Sequence, residues 1–261
     1  MIFQKFLSNI SIYGLLASAG ILAVCLWLYV YEHRHPQLAG DIDLAGVYSL
    51  IGAITGAKIL YLATVWPFMI EDLPYLTCIP DLFFKKYLYA GFVYYGGAIG
   101  FLSVSYLYAR CNHIPYSDIA SPLVPALALF HVFGRLGCFF QGCCYGVPTQ
   151  REFAVIYQHS EIAPNDIPLF PVQLVEAGAE AAIFILLLHH LKKKVRGSVL
   201  AAIYLLSYGV LRFVLEFFRG DSYRGMLYGL SLSQYISILG IVAGSVIVLA
   251  SRRHASSADY N

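Results

Sequence analysis

Charge is what this chain has least of. Only 12% of its 261 residues are Asp, Glu, Lys or Arg, about half the share of an average soluble domain. A protein whose whole surface meets water is excluded. The net charge of +2 supplies no basic field, so no nucleic-acid partner is expected. Low-complexity tracts and internal repeats are missing too, which argues against a solenoid and against the paired halves of an inverted-repeat transporter. Six cysteines do not by count alone make a disulfide scaffold.

What fills the sequence instead is hydrocarbon: 59% of residues are hydrophobic and 15% aromatic. Seven apolar runs are long enough to cross a bilayer. They lie at about 12–31, 44–66, 89–109, 118–140, 171–191, 197–218 and 229–250. The chain reads as one all-α polytopic membrane domain over residues 1–261. Leu22-Ala23-Val24-Cys25 faintly resembles a lipoprotein cleavage box, but Val24 is too large before the cysteine, so the first helix is expected to be retained. The residues from Arg252 onward read as a short, polar, mobile tail.

Basic residues in the loops orient the helices. With the C-terminus in the cytoplasm, the inner side carries Arg34, Arg110, the Lys192-Lys193-Lys194-Val195-Arg196 cluster, Arg252 and Arg253. The outer side carries Lys5, Lys85, Lys86, Arg151, Arg219 and Arg224. The dense cluster decides the reading: N-terminus outside, C-terminus cytoplasmic.

That orientation sends the intramembrane polar groups of five helices to one leaflet. Lys58, Arg135 and Arg212 face Glu176, Glu180 and Glu216, three against three. Left unpaired, six such groups would cost roughly 15–20 kcal/mol on insertion scales. They must pair with one another or line a wet cavity. Arg212 and Glu216 stand at i,i+4 and Glu216 and Arg219 at i,i+3, on one helix face. Gln173, Glu176 and Glu180 fall on one stripe of another. A structural ion-pair network is the plainer reading, and a site for a charged lipid the sharper one. Gly52 and Gly56, and Gly96 and Gly100, have the G-x-x-x-G spacing of close helix contact.

The densest stretch runs from His131 to Pro148. It sets Arg135 in an apolar segment and then crowds Gly134, Gly137, Gly142 and Gly146 together with Cys138, Cys143 and Cys144. A charge inside a membrane helix marks function by default.

Six stretches, in order over residues from about 45 to 245, resemble the bacterial prolipoprotein diacylglyceryl transferase family. Gly134 to Gly146, G-R-L-G-C-F-F-Q-G-C-C-Y-G, is similar to the family signature G-R-x-G-N-F-x-N-x-E-x-x-G. Tyr94 to Gly100 resembles its H-G-G-x-x-G stretch, and Pro171 to Glu176 its P-x-Q-L-Y-E. Leu206 to Arg219 is close to Y-G-x-x-R-F-x-x-E-x-x-R. Leu230 to Ser237 resembles L-x-x-G-Q-x-x-S, and Gly56 to Tyr61 resembles G-x-R-x-x-Y. The departures are chemical. Cys138 stands for the signature's first asparagine, Gln141 for its second, Cys143 for its glutamate, Tyr95 for the histidine before the glycine pair and Lys58 for an arginine.

The resemblance implies a seven-helix transferase of the bacterial inner membrane. It would move a diacylglyceryl group from phosphatidylglycerol to the thiol of a lipoprotein-signal cysteine. Its partners are then a phospholipid, a prolipoprotein or other acceptor, and the bilayer. No external cofactor is implied. Arg135 and Arg212 would clamp the glycerol phosphate as charge develops on it, with Arg219 at the mouth and Lys58 retaining charge without the bidentate fork. Glu176 and Glu216 would orient the arginines. Tyr95 would hydrogen-bond the headgroup or relay a proton, although a phenol is a poor base at neutral pH. Gly96, Gly97 and Gly137 would admit the headgroup, and Gln141 and Gln173 would contact substrate.

The three cysteines admit four readings: packing, a disulfide that could include Cys78, a metal site, or a nucleophile, for which Cys143 or Cys144 beside Arg135 would have a lowered pKa, with Cys143 taken as the catalytic candidate. Adjacent cysteines without a nearby histidine cluster are not common zinc spacing, so no metal ligand is assigned. A related transferase with another acceptor and a non-catalytic lipid-binding protein are the competing functions.

Overall fold

The computed structural model describes residues 12–89, 91–221 and 226–258. It is a helical protein. Among the described residues, seven long helices occupy the seven apolar runs: α1 (Ile12–Arg34), α2 (Asp41–Glu71), α5 (Tyr94–Cys111), α6 (Tyr116–Gln141), α7 (Val172–Lys192), α8 (Gly197–Leu215) and α9 (Leu232–Ala258). Two short helices, α3 (Leu73–Cys78) and α4 (Pro80–Phe84), connect α2 toward α5. Six of the long helices are long and apolar enough to cross a membrane. In α5, four tyrosines, three glycines and Arg110 dilute the hydropathy of an 18-residue segment. The chain is a multi-pass membrane protein.

Helix ends depart from expectation where the backbone turns. The third long helix begins at Tyr94 rather than near residue 89, because Gly91 takes φ +76°. The last begins at Leu232 rather than 229, after a turn at Tyr228 (φ +48°) and Gly229 (φ +82°) joins β3 (Met226–Leu227) to β4 (Leu230–Ser231). Helix α2 runs through Pro67 to Glu71. The segment expected to be a tail from Arg252 continues α9 to Ala258. Lys5 and Arg224, used to orient the chain, lie outside the described residues.

The chain forms two compact units: Met1–Arg34 with Ala120–Asn261, and His35–Ile119. In the second unit, α2 and α5 meet backbone to backbone. A Cβ at Gly56 would run into the Gly96 carbonyl, and one at Gly100 into the Gly52 carbonyl. The G-x-x-x-G faces are therefore the contact itself. Here Gly96 gives its missing side chain to Gly56, and a Cβ at Gly97 would lie 3.3 Å from the Ala53 carbonyl. The Lys58 ammonium is 3.4 Å from the Gly91 carbonyl oxygen and lies over the rings of Tyr61 and Phe92 at 4.9 and 5.0 Å.

In the first unit, α1 lies along α6. A Cβ at Gly20 would stand 2.9 Å from Phe133 Cβ, and the Tyr13 ring occupies the space a Gly137 side chain would need. Trp27 Nε1 donates to the Pro122 carbonyl at 2.9 Å. Helix α8 packs on α9, and its inward face is where the charges collect.

Candidate active site

The first unit encloses a chain of buried polar groups from α6, α7, α8 and the turn beyond it. His131, Arg135, Glu176, Glu180 and Arg212 are all at least nine-tenths buried, Glu180 completely. Glu176 is the hub. Its Oε2 lies 3.1 Å from Arg135 Nε and 3.6 Å from Arg212 Nη1, while Oε1 accepts from the Tyr208 hydroxyl at 3.4 Å. Two guanidiniums from different helices thus share one carboxylate oxygen. Arg212 Nη2 lies 2.6 Å from Glu216 Oε2 and donates to Ser233 Oγ of α9 at 3.4 Å. Arg212 Nη1 makes no hydrogen bond among the described residues. The network ends at Arg219, whose Nε is 4.0 Å from Glu216 Oε2 and whose guanidinium forks onto both oxygens of Asp221.

His131 supplies the partner that three-against-three charge balance assigned to a cation. Its Nδ1 is 2.9 Å from Glu180 Oε1, and its Nε2 accepts from Arg135 Nε at 3.1 Å. A ring nitrogen that accepts from a guanidinium leaves the proton on the other nitrogen, facing Glu180. Spacing alone exposes only half of this arrangement: His131 and Arg135, and Glu176 and Glu180, each stand at i,i+4 on their own helix, but the pairing of His131 with Glu180 runs between helices. Tyr13, Tyr208, Ser233 and Asp221 also escaped the sequence reading, since an isolated hydroxyl or loop carboxylate carries no periodic signal.

The cysteines come together through the way α6 ends. Gly142, at φ +73°, takes the left-handed conformation that closes a helix. Its N–H donates to Phe139 O at 3.2 Å, and the Cys143 N–H donates to Cys138 O at 3.1 Å. This paired bonding is a Schellman motif, and it folds Cys143 back over Cys138. Cys144 then also takes a left-handed φ, +57°, so successive side chains need not point apart. The three Sγ atoms lie within 4.8 Å of one another. Among the described residues no disulfide joins them, and none engages Cys25, Cys78 or Cys111. Hydrogen bonds from the Cys138 and Cys143 thiols push Cys144 well below the ordinary thiol range, and the Arg219 and Arg135 charges add to that. The same bonds push Cys143 up.

The loop that follows is fixed by main chain. Val147 N donates to Phe218 O at 3.0 Å, Gly220 N to Tyr145 O at 2.9 Å, and Phe170 N to Val147 O at 2.9 Å. Residues 145–148 are thereby pinned between the Arg219 turn and the hairpin of β1 (Val155–Ile156) and β2 (Pro168–Leu169). A Cβ at Gly146 would strike the Phe170 carbonyl. Gln173, buried at the start of α7, donates to the Cys143 carbonyl at 2.9 Å. Gln141 lines an open cleft of about 430 Å³ with Phe140, Tyr157, His159, Ser160 and Glu161.

Of the residues singled out in the sequence, Arg135, Glu176, Arg212, Glu216 and Arg219 meet in this one network, with Gln173, Gly137, Gln141 and Cys143 in the same unit. Lys58, Tyr95, Gly96 and Gly97 belong to the second unit. The Tyr94 and Tyr95 rings there sit edge to face, 6.1 Å apart.

Buried arginines held by glutamates inside apolar helices define a class: a polytopic membrane protein with an ion-pair network among its helices. A sequence model described as prolipoprotein diacylglyceryl transferase matches residues 1–250. The chain is 33% identical over 244 residues to the phosphatidylglycerol–prolipoprotein diacylglyceryl transferase of Clostridium tetani, covering 94% of each protein. It is 32% identical over 235 residues to a second such transferase of Clostridium perfringens, covering 90% of this chain and 88% of that one. It is 30% identical over 256 residues to that of Cupriavidus metallidurans, covering 94% and 90%. The chain belongs to the prolipoprotein diacylglyceryl transferase family.

Proposed function

We propose that this protein is an enzyme that transfers the diacylglyceryl group of phosphatidylglycerol to the thiol of a lipoprotein-signal cysteine. It does so as one seven-span domain in the bacterial inner membrane, with the site toward the outer leaflet, the N-terminus outside and the C-terminus cytoplasmic. The observation that carries the reading is the pair of guanidiniums, Arg135 and Arg212, on one oxygen of Glu176. A carboxylate between two arginines fixes their planes, and donors left over, such as Arg212 Nη1, can meet phosphate oxygens.

In the reaction the sulfur forms a bond to the terminal glyceryl carbon while that carbon's bond to the phosphate oxygen breaks. Negative charge collects on the departing glycerol phosphate. Arg135 and Arg212 stabilise it there more than in the bound lipid, which is what lowers the barrier. Glu176 and Glu216 orient the two arginines, and Arg219, tied to Asp221, stands at the entrance. The space beside Gly137, expected to admit the headgroup, is filled by the Tyr13 ring, so that glycine serves helix contact instead. Gln173 holds the Cys143 loop, and Gln141 borders the cleft through which an acceptor peptide would approach. For Lys58, Tyr95, Gly96 and Gly97 the support is the motif position each occupies. The thiols at positions 138 and 143 favour one second reading, the same lipid donor with a different acceptor.

The test is transfer itself. Purified protein in detergent is given phosphatidylglycerol and a peptide bearing a lipobox cysteine, and the peptide mass is followed. A gain of one diacylglyceryl group is expected, reduced at least about a hundredfold in Arg135→Ala. Unchanged turnover in that variant would remove the clamp from the mechanism. No gain from folded, lipid-binding protein would move the reading to another acceptor.

A further inference from the structure

The proposed reaction needs a thiolate, and the residues that would make one are altered: Cys143 and Tyr95 stand where the resembled family has a glutamate and a histidine. Glu176, Glu216 and Asp221, carboxylates of the same unit, are engaged with arginines. What the chain carries at this turn is a cluster of three thiols. We infer that Cys138, Cys143 and Cys144 form a thiolate site for a zinc-class cation, which takes the acceptor cysteine as its fourth ligand and presents it as the attacking thiolate. This inference rests on the transferase reading above.

The geometry fits the chemistry. Zinc–thiolate bonds of about 2.3 Å at tetrahedral angles set the sulfurs about 3.8 Å apart. The three Sγ atoms already lie within 4.8 Å of one another, so closing on a cation asks for about an ångström or less. Two adjacent cysteines are an unusual ligand pair, and the left-handed turn at Cys144 is what brings both sulfurs to one side. The Schellman bond from Cys143 N to Cys138 O brings in the third. Gln173 secures the loop from below at the Cys143 carbonyl. Three protein ligands with a free fourth position are the pattern of a catalytic zinc, whereas a structural zinc is closed by four.

Charge also fits. A dication with three thiolates carries net negative charge, and a fourth thiolate adds to it. The Arg135 and Arg219 guanidiniums both act on this cluster electrostatically. A thiol that binds such a cation loses its proton outright, to solvent. The bound sulfur then forms the bond to the glyceryl carbon, and the carbon–oxygen bond to the phosphate breaks. The electron pair leaves with glycerol phosphate, and the thioether, a weak ligand, departs from the metal. No electron is gained or lost overall, and no further reagent is required.

Cobalt(II) makes the site visible. The full-length protein, reduced by a phosphine and freed of metal, is titrated with cobalt. One equivalent should give thiolate-to-cobalt absorption in the near ultraviolet and visible bands of tetrahedral intensity. A lipobox peptide should shift those bands, and the same peptide with its cysteine changed to serine should not. Cys138→Ser, Cys143→Ser and Cys144→Ser together should abolish the signal, and Cys144→Ser alone should weaken it, while melting temperature reports that each variant is folded. Removal of metal should depress transfer and zinc should restore it. Failure of the wild-type protein to bind cobalt, or binding that survives the triple substitution, overturns the site. Full transfer by metal-free protein overturns the inference while the transferase reading stands. Cobalt and thiol binding without transfer of any lipid upholds the site and removes the transferase reading instead.

Discussion

Two regions of this protein solve the same problem by opposite means. In the second unit, α2 and α5 are joined where side chains are missing, through Gly52, Gly56, Gly96 and Gly100. In the first unit, α6, α7 and α8 are joined by groups that are expensive to bury, Arg135, Glu176 and Arg212. In lipid there is no hydrophobic gain from pressing two apolar helices together. Close backbone contact answers that with dispersion and carries no chemistry. Buried ion pairs answer it with mutual attraction, and charged groups inside membrane helices mark function by default. The proposed site therefore falls where packing is costly.

The largest way to break this contrast is at its hub. Glu176→Ala leaves Arg135 and Arg212 without their shared carboxylate, and breaking a buried pair from one side costs about 3–5 kcal/mol. Denaturant unfolding in detergent should show that loss, with Glu176→Gln milder; an unshifted midpoint would mean that the pairs do not hold the bundle. Gly56→Val tests the other region. A branched side chain pressed into the Gly96 carbonyl should cost about 1–3 kcal/mol, read as a lower melting temperature, and a neutral result would show that α2 and α5 can slide apart freely. Arg212→Lys keeps the charge and removes the fork. Turnover should fall by roughly tenfold, about 1.4 kcal/mol in the barrier, with little change in melting; equal activity would show that the clamp needs charge and not geometry.

The smallest effect belongs to an exposed pair that belongs to neither device. The hydrogen bond from Lys86, and then that from Tyr87, holds the Asp72 carboxyl below its usual value of 3.8. A lowered folded pKa stabilises above the unfolded value and loses that contribution as pH falls through the folded one. Asp72→Asn should therefore melt slightly lower than wild type at neutral pH, and the difference should start to shrink as pH falls through about 3.8 and vanish only below the lowered folded value. A constant difference across that range would assign the effect to packing.

The helices were legible because their apolar runs are long, and Arg135, Arg212 and the glutamates because charge stands out against hydrocarbon. The glycine contacts were legible from spacing. His131 was visible as a residue but not as the partner of Glu180, since pairing across helices needs their rotation about each other. The thiol cluster was hidden for a different reason. It depends on Gly142 and Cys144 taking positive φ, and nothing in the order of residues says which way a helix end turns. Helix ends were misplaced at Gly91 and Gly229 for the same cause.

The strip from Tyr145 to Pro148 is held on both flanks by main-chain hydrogen bonds, with Gly146 as its one strict steric demand. Such a frame takes no account of which side chains hang from the turn just before it. A lineage could exchange an amide and a carboxylate for thiols at positions 138 and 143 without rebuilding the loop or moving Arg219. The scaffold separates the path of its backbone from the side chains it carries, so that one fold can be refitted at this turn while the neighbouring Arg219 turn keeps its place.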